Sequence, residues 1–249
     1  VVQARVIQIN VLGLLGGQTD AGRNAAIDYV VNRVRAESPL MVSLNELCPT
    51  QALYLALALG PEYSSRYAIA ATRDWRDANG SCRTGGRDAN GNLQAGYGNL
   101  VLVRFSALGS TEHYYTASDS GSVPGRNLVC VRTGYGYLTF TGCSTHLSAP
   151  PAANQTAEWL YALTFQPSTV TFGAGDLNTS RASLGAGFGR NLHEADLTSP
   201  KQQTGDKGAA IDYIHGTARN TSVIYNQDVS GDLWFTDHRA ITGYYLVYF

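Results

Sequence analysis

Four apolar runs of this chain each stop on a polar or ionisable residue, and that pattern limits the folds open to it. Val6-Ile7-Gln8-Ile9 ends on Asn10, and Met41-Val42-Ser43-Leu44-Asn45 ends on Glu46. Gly142-Cys143-Ser144-Thr145 ends on His146, and Val170-Thr171-Phe172-Gly173-Ala174-Gly175 ends on Asp176, with Asn178 two positions on. Asp212 lies inside a fifth run, 210–214, and Asp237-His238 precedes the last, 240–248. Short apolar runs bounded by turn residues read as strands. A carboxylate at the end of a buried strand carries a desolvation cost that needs a partner or a task. Singly, such residues make turns or ordinary hydrogen bonds. Strand ends along one sheet edge, however, can place the whole set around one cleft.

The rest of the pattern supports a layered architecture. Strands are expected over 4–10, 40–45, 66–72, 99–105, 127–133, 137–145, 169–174, 209–215, 222–225 and 240–248. Residues 22–37 set Ile27, Val30, Val31 and Val34 at helical spacing. A second helix is expected over 50–59, capped by Thr50 and stopped by Gly60, and a third over 153–165. Residues 74–98, rich in Gly, Asn, Asp and Arg, form a long loop with room for a small hairpin, and 181–200 is irregular. Many strands and few helices along one chain imply a β-rich α/β fold with the helices outside. With no linker or internal repeat, residues 1–249 are expected to form a single domain.

With 44% hydrophobic and 15% charged residues, the chain has enough apolar surface to fold, which excludes a mostly disordered protein. No apolar run approaches the roughly 18 residues of a membrane helix. Eighteen basic residues against 19 acidic ones, a net charge of -1, exclude a global electrostatic pull toward nucleic acid or membrane. All the basic residues except Lys201 and Lys207 are arginines, which can grip phosphate with two prongs.

Four cysteines occur without a Cys-x-x-Cys, against a zinc or thioredoxin-type site. Cys130 and Cys143 flank 131–142, which reads as a hairpin and brings them together. Cys48 is then expected to pair with Cys82; the alternative is four buried free thiols. Two disulfides imply an oxidising setting. Because Val1-Val2-Gln3-Ala4 runs straight into a strand pattern, a mature secreted protein is expected.

The strand-end set suits hydrolysis of a phosphate ester. Glu46, helped by Asn10, offers hard oxygen ligands to Mg²⁺ or Mn²⁺. A histidine beside a carboxylate can take a proton from water near neutral pH. Asp176 and Asn178 alternate across a turn, so both can point at the attacking water and the phosphorus.

The order Asn10, Glu46, Gly98-Asn99, Thr145-His146-Leu147, Gly175-Asp176-Leu177-Asn178, Asp212-Tyr213-Ile214 and Thr236-Asp237-His238-Arg239 resembles the endonuclease/exonuclease/phosphatase superfamily. Pancreatic deoxyribonuclease, the sphingomyelinases and the inositol polyphosphate phosphatases belong to it. The resemblance runs from residue 10 to residue 239. It implies an α/β fold, a four-layered sandwich of two mixed sheets packed face to face with helices outside, and a metal-dependent phosphoesterase. It also implies roles: His238 as general base oriented by Asp212, and Glu46 as main metal ligand with Asn10 and Asp237 nearby. Asp176 and Asn178 would position water and phosphate, and His146 would donate to a phosphoryl oxygen or assist the leaving group. Arg126, in Pro124-Gly125-Arg126-Asn127, and Asn99 would contact the substrate phosphate.

The leading expectation for the substrate is a nucleic acid, DNA or RNA, cut by a monomeric secreted endonuclease. Residues 145–150 are similar to their deoxyribonuclease counterpart, but Tyr97, Leu12 and Cys48 depart from it. The loop 73–96 adds Arg73, Arg76, Arg83 and Arg87 around Trp75, suited either to a nucleic-acid backbone or to ion pairs with Asp74, Asp77 and Asp88. One alternative is a phospholipase C or sphingomyelinase-like lipid phosphodiesterase, for which 112–115 and 233–235 are the candidate membrane-facing aromatics. The other is a small-molecule phosphatase of the inositol phosphate type.

Overall fold

A computed structural model of the chain describes all residues except 12–19, 70–82, 88–92, 96–97, 116–125, 150, 152, 199–200, 206–208, 232, 234 and 249; of 20–24, 83–87, 93–95 and 153 it describes the backbone. The first run becomes β1 (Val2–Asn10), followed by α1 (Asp20–Glu37), β2 (Met41–Leu47), α2 (Pro49–Leu59) and β3 (Tyr63–Ile69). A small antiparallel pair, β4 (Arg83–Arg87) and β5 (Leu93–Ala95), precedes β6 (Gly98–Arg104), β7 (Ala107–Tyr114), β8 (Asn127–Tyr135) and β9 (Leu138–His146). Then come α3 (Ala153–Thr164), β10 (Val170–Asp176), α4 (Ala186–Asn191), β11 (Leu192–Glu194), β12 (Asp212–Thr217), β13 (Thr221–Val229) and β14 (Ile241–Val247).

Two six-stranded mixed sheets result, ordered β13-β14-β1-β2-β6-β3 and β11-β12-β10-β9-β8-β7. Side-chain alternation explains their stacking, since successive residues of a strand face opposite ways. In β1, Ala4 and Val6 join Val101, Val131, Phe172 and Tyr245 between the sheets. Ile7 and Ile9 turn outward onto Val30 and Val34 of α1 and Leu55 of α2. On the far side, Leu128 and Cys143 pack against Trp159 and Leu163 of α3 and Phe188 of α4. Helix, sheet, sheet and helix are therefore bonded by three apolar layers, the expected four-layered sandwich.

β1 runs parallel to β2, and β9 parallel to β10. β14, β6, β8 and β12 run antiparallel to these four, so they begin where the four end. The runs that stop on Asn10, Glu46, His146 and Asp176 thus finish along one edge of the sandwich, beside Asp212 and the segment before β14.

Some expectations change. The second helix starts at Pro49, and Gln51 Oε1 accepts the Cys48 N–H at 2.9 Å, so Thr50 lies in the first turn rather than capping it. β7 lies where no element was expected: almost every residue of it is exposed, so it carries no inside–outside alternation. α4 and β11 occupy part of the segment read as irregular. Cys130 and Cys143 are directly opposed on β8 and β9 and form a disulfide. The expected partner of Cys48, Cys82, lies outside the described residues, as do the side chains of Arg73, Trp75, Arg76, Arg83 and Arg87.

Candidate active site

Glu46 reaches the cluster through a break in its strand. Met41, Ser43 and Asn45 face the other sheet, so strict alternation would turn Glu46 outward toward the helices. Instead the β2–β6 pairing slips between Leu44 and Leu47, and Leu47 takes the outward place in the helix-side core. Glu46 itself adopts φ 60, a left-handed conformation that costs a non-glycine residue energy. Its Oε1 then lies 3.4 Å from Asn10 Nδ2 and 3.8 Å from His146 Nδ1.

Asn10, fully buried at the end of β1, links both sheets: its Nδ2 is also 3.2 Å from Asp176 Oδ2 and 3.5 Å from His238 Nε2. His238 Nδ1 is 2.8 Å from Asp212 Oδ2, and Nε2 is 3.7 Å from both Asp176 Oδ2 and Asp237 Oδ1. Thr236 fixes this approach, since its hydroxyl donates to the Asn10 carbonyl and accepts the His238 N–H. Asp237 is the half-exposed member of the group. Asp176 Oδ1 accepts the Asn178 N–H at 2.9 Å, and Asn178 holds φ 50. The Asn178 amide donates to the Leu147 carbonyl and to His146 Nε2, at 2.9 and 3.0 Å, which assigns the proton of a neutral His146 to Nδ1. The structure therefore brings Asn10, Glu46, His146, Asp176, Asn178, Asp212, Asp237 and His238 into one cluster.

The remaining two expected residues divide. Arg126, immediately before β8, acts electrostatically on Glu46 and His146. Its Nε and Nη1 are buried and have no hydrogen-bond partner among the described residues. Buried guanidinium donors without an acceptor are costly, and an anionic oxygen would relieve them. Asn99 is fully buried: its amide donates to Asn127 Oδ1 at 2.7 Å, and its carbonyl accepts from Asn45 Nδ2 at 2.9 Å. It faces neighbouring strands rather than open space.

Several supporting residues escaped the sequence reading. Asn45 Oδ1 accepts from the Asp176 N–H and from Gln8 Nε2, at 2.9 and 2.7 Å. Gln8 Nε2 also lies 3.3 Å from Asp212 Oδ1. Thr204 Oγ1 accepts the Asp212 N–H at 3.0 Å. The signal for Gln8, Ser43 and Asn45 was present, as polar residues at inward positions of otherwise apolar strands.

The electrostatics follow from burial and crowding. Burial raises the Glu46 carboxyl above its ordinary range, against the pull of Asn10, His238 and Arg126. Burial, then the charge on Asp212, pushes Asp176 up to about 7. Burial works to lower His238, but Asp212, by charge and by hydrogen bond, outweighs it together with Asp176 and Asp237, and the ring rises to about 10. Burial, followed by Arg126 and His238, holds His146 well below its usual value, so it is neutral.

Carboxylates pushed upward in this way are a fit for a divalent cation, whose charge would relieve them. Ligand atoms of Asp176, Asp212 and His238 lie within 4.8 Å of one another. Asp212 is already committed, one oxygen to His238 and the other near Gln8. The Glu46 side chain is 15% exposed against 0–2% for Asp212 and Asp176, and with Asn10 and Asp176 it offers the hard oxygen donors that Mg²⁺ or Mn²⁺ takes.

A family model described as the Endonuclease/Exonuclease/phosphatase family matches residues 7–238. No curated protein matches the chain. Among solved structures, an endonuclease/exonuclease/phosphatase from Beutenbergia cavernae is 19% identical, covering 99% of this chain and 72% of that one, with a TM-score of 0.71. The human Nocturnin catalytic domain with bound sulfate is 18% identical over 98% of this chain and 93% of that one, TM-score 0.71. D. rerio TDP2 complexed with single strand DNA product is 16% identical over 98% and 99%, TM-score 0.66. At such identities these structures share the sandwich with this chain.

Proposed function

This chain belongs to the Endonuclease/Exonuclease/phosphatase family, and on that premise we propose that it hydrolyses a phosphodiester of nucleic acid with a divalent cation. The observation that carries the reading is the cluster joining the His238–Asp212 pair to Glu46, Asn10 and Asp176, with Arg126 acting on it electrostatically.

Asp212 orients His238 by accepting from Nδ1, which leaves Nε2 facing the pocket. There Nε2 takes a proton from the water that attacks phosphorus. Asp176, fixed by Asn45 and by the Asn178 N–H, orients that water. Neutral His146 and the two unpartnered Arg126 donors hold the phosphoryl oxygens as negative charge grows on them. A Mg²⁺ or Mn²⁺ held by Glu46 with Asn10 would supply positive charge that neutralises the phosphate and weakens the hold of His238 on its proton.

Nucleic acid is favoured over lipid because part of the apolar surface weighed for membrane insertion is spent inside: Tyr115 and Phe235 are buried and Leu233 packs on the helix-side core, while Tyr114 stays half-exposed. The DNA product bound to the TDP2 relative agrees with this choice. The Cys130–Cys143 disulfide supports a secreted protein.

The test is a panel of single- and double-stranded DNA, RNA, sphingomyelin and phosphatidylinositol vesicles and inositol phosphates, each with Mg²⁺, Mn²⁺ or EDTA. Nucleic-acid cleavage that needs the cation and is lost in His238→Ala is expected. Cleavage of lipid or inositol phosphate with none of DNA or RNA overturns the substrate.

A further inference from the structure

A second site lies at the opposite edge of the sandwich, where β1 and β10 begin and β6, β8 and β14 end. A cleft of about 410 Å³ opens there, within the size range of small-ligand pockets. Phe105, Phe140 and Phe172 line it alongside Tyr225, Tyr244 and Arg5. Arg5 and Tyr244 face away from the inter-sheet core in which Phe140 and Phe172 sit, so the cleft wraps around the strand ends.

Two features separate it from a packing gap. The non-glycine residues with positive φ among the described residues are Ser38, Glu46, Phe105 and Asn178. Glu46 and Asn178 belong to the active site; Ser38, at φ 45, and Phe105, at φ 78, line this cleft. A bulky aromatic in that region is strained, and strain persists where surrounding structure enforces it. Hydrogen bonds do so here: the Phe105 N–H donates to the Glu62 carbonyl and its carbonyl accepts from Ser64 Oγ, both at 2.9 Å, while the Tyr135 ring, 60% exposed, stacks on Phe105 at 4.8 Å between centroids.

The second feature is charge. Among the cleft's charged residues, Arg104 pairs with Glu62 at 2.7 Å and Glu37 with Arg33 at 2.8 Å. Arg5 donates to the Glu37 carbonyl at 2.7 Å and lies over the Tyr244 ring at 5.4 Å. No ion pair joins it to a carboxylate among the described residues. The apolar wall therefore carries one guanidinium outside any direct ion pair, with Asp228 bonded to the far end of the Tyr244 ring it covers.

We propose that this cleft binds a small amphipathic carboxylate, its apolar body among the phenylalanines and its carboxylate on Arg5. The site is independent of the phosphoesterase reading, because it lies at the other end of the strands.

The experiment titrates the full chain with dodecanoate below its micelle-forming concentration, by calorimetry, with dodecanol and anionic phosphatidylglycerol vesicles as parallel arms. One saturable dodecanoate site is expected, weakened at least tenfold in Arg5→Ala and lost in Thr139→Trp, which fills the cleft. Dodecanol binding should change little in Arg5→Ala. Hydrolysis of bis(p-nitrophenyl) phosphate, if the chain supports it, and otherwise an unchanged melting profile, shows that the variants are folded. Absence of saturable dodecanoate binding, equal binding by wild type and both variants, or binding to vesicles alone overturns the proposal.

Discussion

His238 Nδ1 lies 2.8 Å from Asp212 Oδ2, and this contact crosses from the segment before β14 in one sheet to the first residue of β12 in the other. It does two things at once, fixing the ring's orientation and, by charge, raising its affinity for a proton against the effect of burial. Asp212→Asn keeps the size of the side chain, removes the charge, and no longer obliges the ring to donate from Nδ1, since an amide can donate as well as accept. Turnover should fall by roughly 10²–10⁴, the usual worth of general acid–base catalysis. The acid limb of the pH–rate profile should also move to lower pH, since the variant ring gives up its proton more readily. Rates measured from pH 5 to pH 10 check this, and a drop in turnover with an unmoved limb would show Asp212 to be merely structural.

Glu46 stands in a conformation that suits glycine. A left-handed backbone costs an ordinary residue about 1–2 kcal/mol, while glycine adds about 0.5–1 kcal/mol of chain entropy, so Glu46→Gly gains about 0–1.5 kcal/mol from this exchange. Removing a buried carboxyl that burial has already raised adds to the gain. The variant should melt about 2–4 °C higher and hydrolyse nothing. Mg²⁺ should raise the melting temperature of the wild type but not of the variant, because the ion binds only the folded site. Stabilisation by Mg²⁺ of equal size in both proteins would remove Glu46 from the metal site.

What the sequence disclosed, and what it withheld, follows from which signals are local. A strand buried on both faces writes its length into an apolar run, so β1, β2, β9 and β10 were readable to within a few residues, whereas the face-to-face stacking of two sheets was implied only by the family resemblance. The gathering of Asn10, Glu46, His146 and Asp176 was readable because each closes such a run. β7 was not, since an exposed edge strand has no apolar side to alternate. Nor were the partners of the site: that Asn45 braces Asp176 across 131 positions, or that Asn99 turns to Asn127, depends on which strands adjoin. Glu46 illustrates the limit most clearly. Alternation alone directs it outward, and only the slip in β2–β6 pairing brings it in.

Gly175 sets how closely β9 approaches β10. A Cβ built there would sit 2.0 Å from the Thr145 carbonyl oxygen, a backbone atom that cannot step aside without moving β9. The displaced residues are the next on each strand, Asp176 and His146, which are directly paired. Gly175→Ala should cost about 1–3 kcal/mol, the usual range for overpacking, and lower turnover by more than that loss of folded protein explains. Melting curves and turnover measured well below the melting temperature separate the two effects. A variant of normal turnover would mean that the pocket tolerates the shift.

His215 supplies a prediction about acid stability that is independent of catalysis. The ring is 1% exposed, stacked near Tyr213 and tilted against Phe188, and neither nitrogen has a hydrogen-bond partner among the described residues. Burial, followed by the charges of Arg181 and Lys201, lowers its pKa from 6.5 to about 3. Between those values the unfolded chain carries a proton that the folded chain refuses, so the unfolded state binds more protons and stability falls as pH falls. Each pH unit is worth about 1.4 kcal/mol, so two units below the unfolded value the loss is roughly 3 kcal/mol, and below about pH 3 it stops growing. His215→Phe removes the titration and keeps a ring between Tyr213 and Phe188. Chemical denaturation at pH 7 and pH 4.5 should therefore show the variant losing roughly 3 kcal/mol less than wild type over that interval. At pH 7 itself the two should differ by about 1 kcal/mol or less, because phenylalanine gives up no hydrogen bond that histidine makes here. Parallel stability curves across the interval would place the proton uptake elsewhere in the chain.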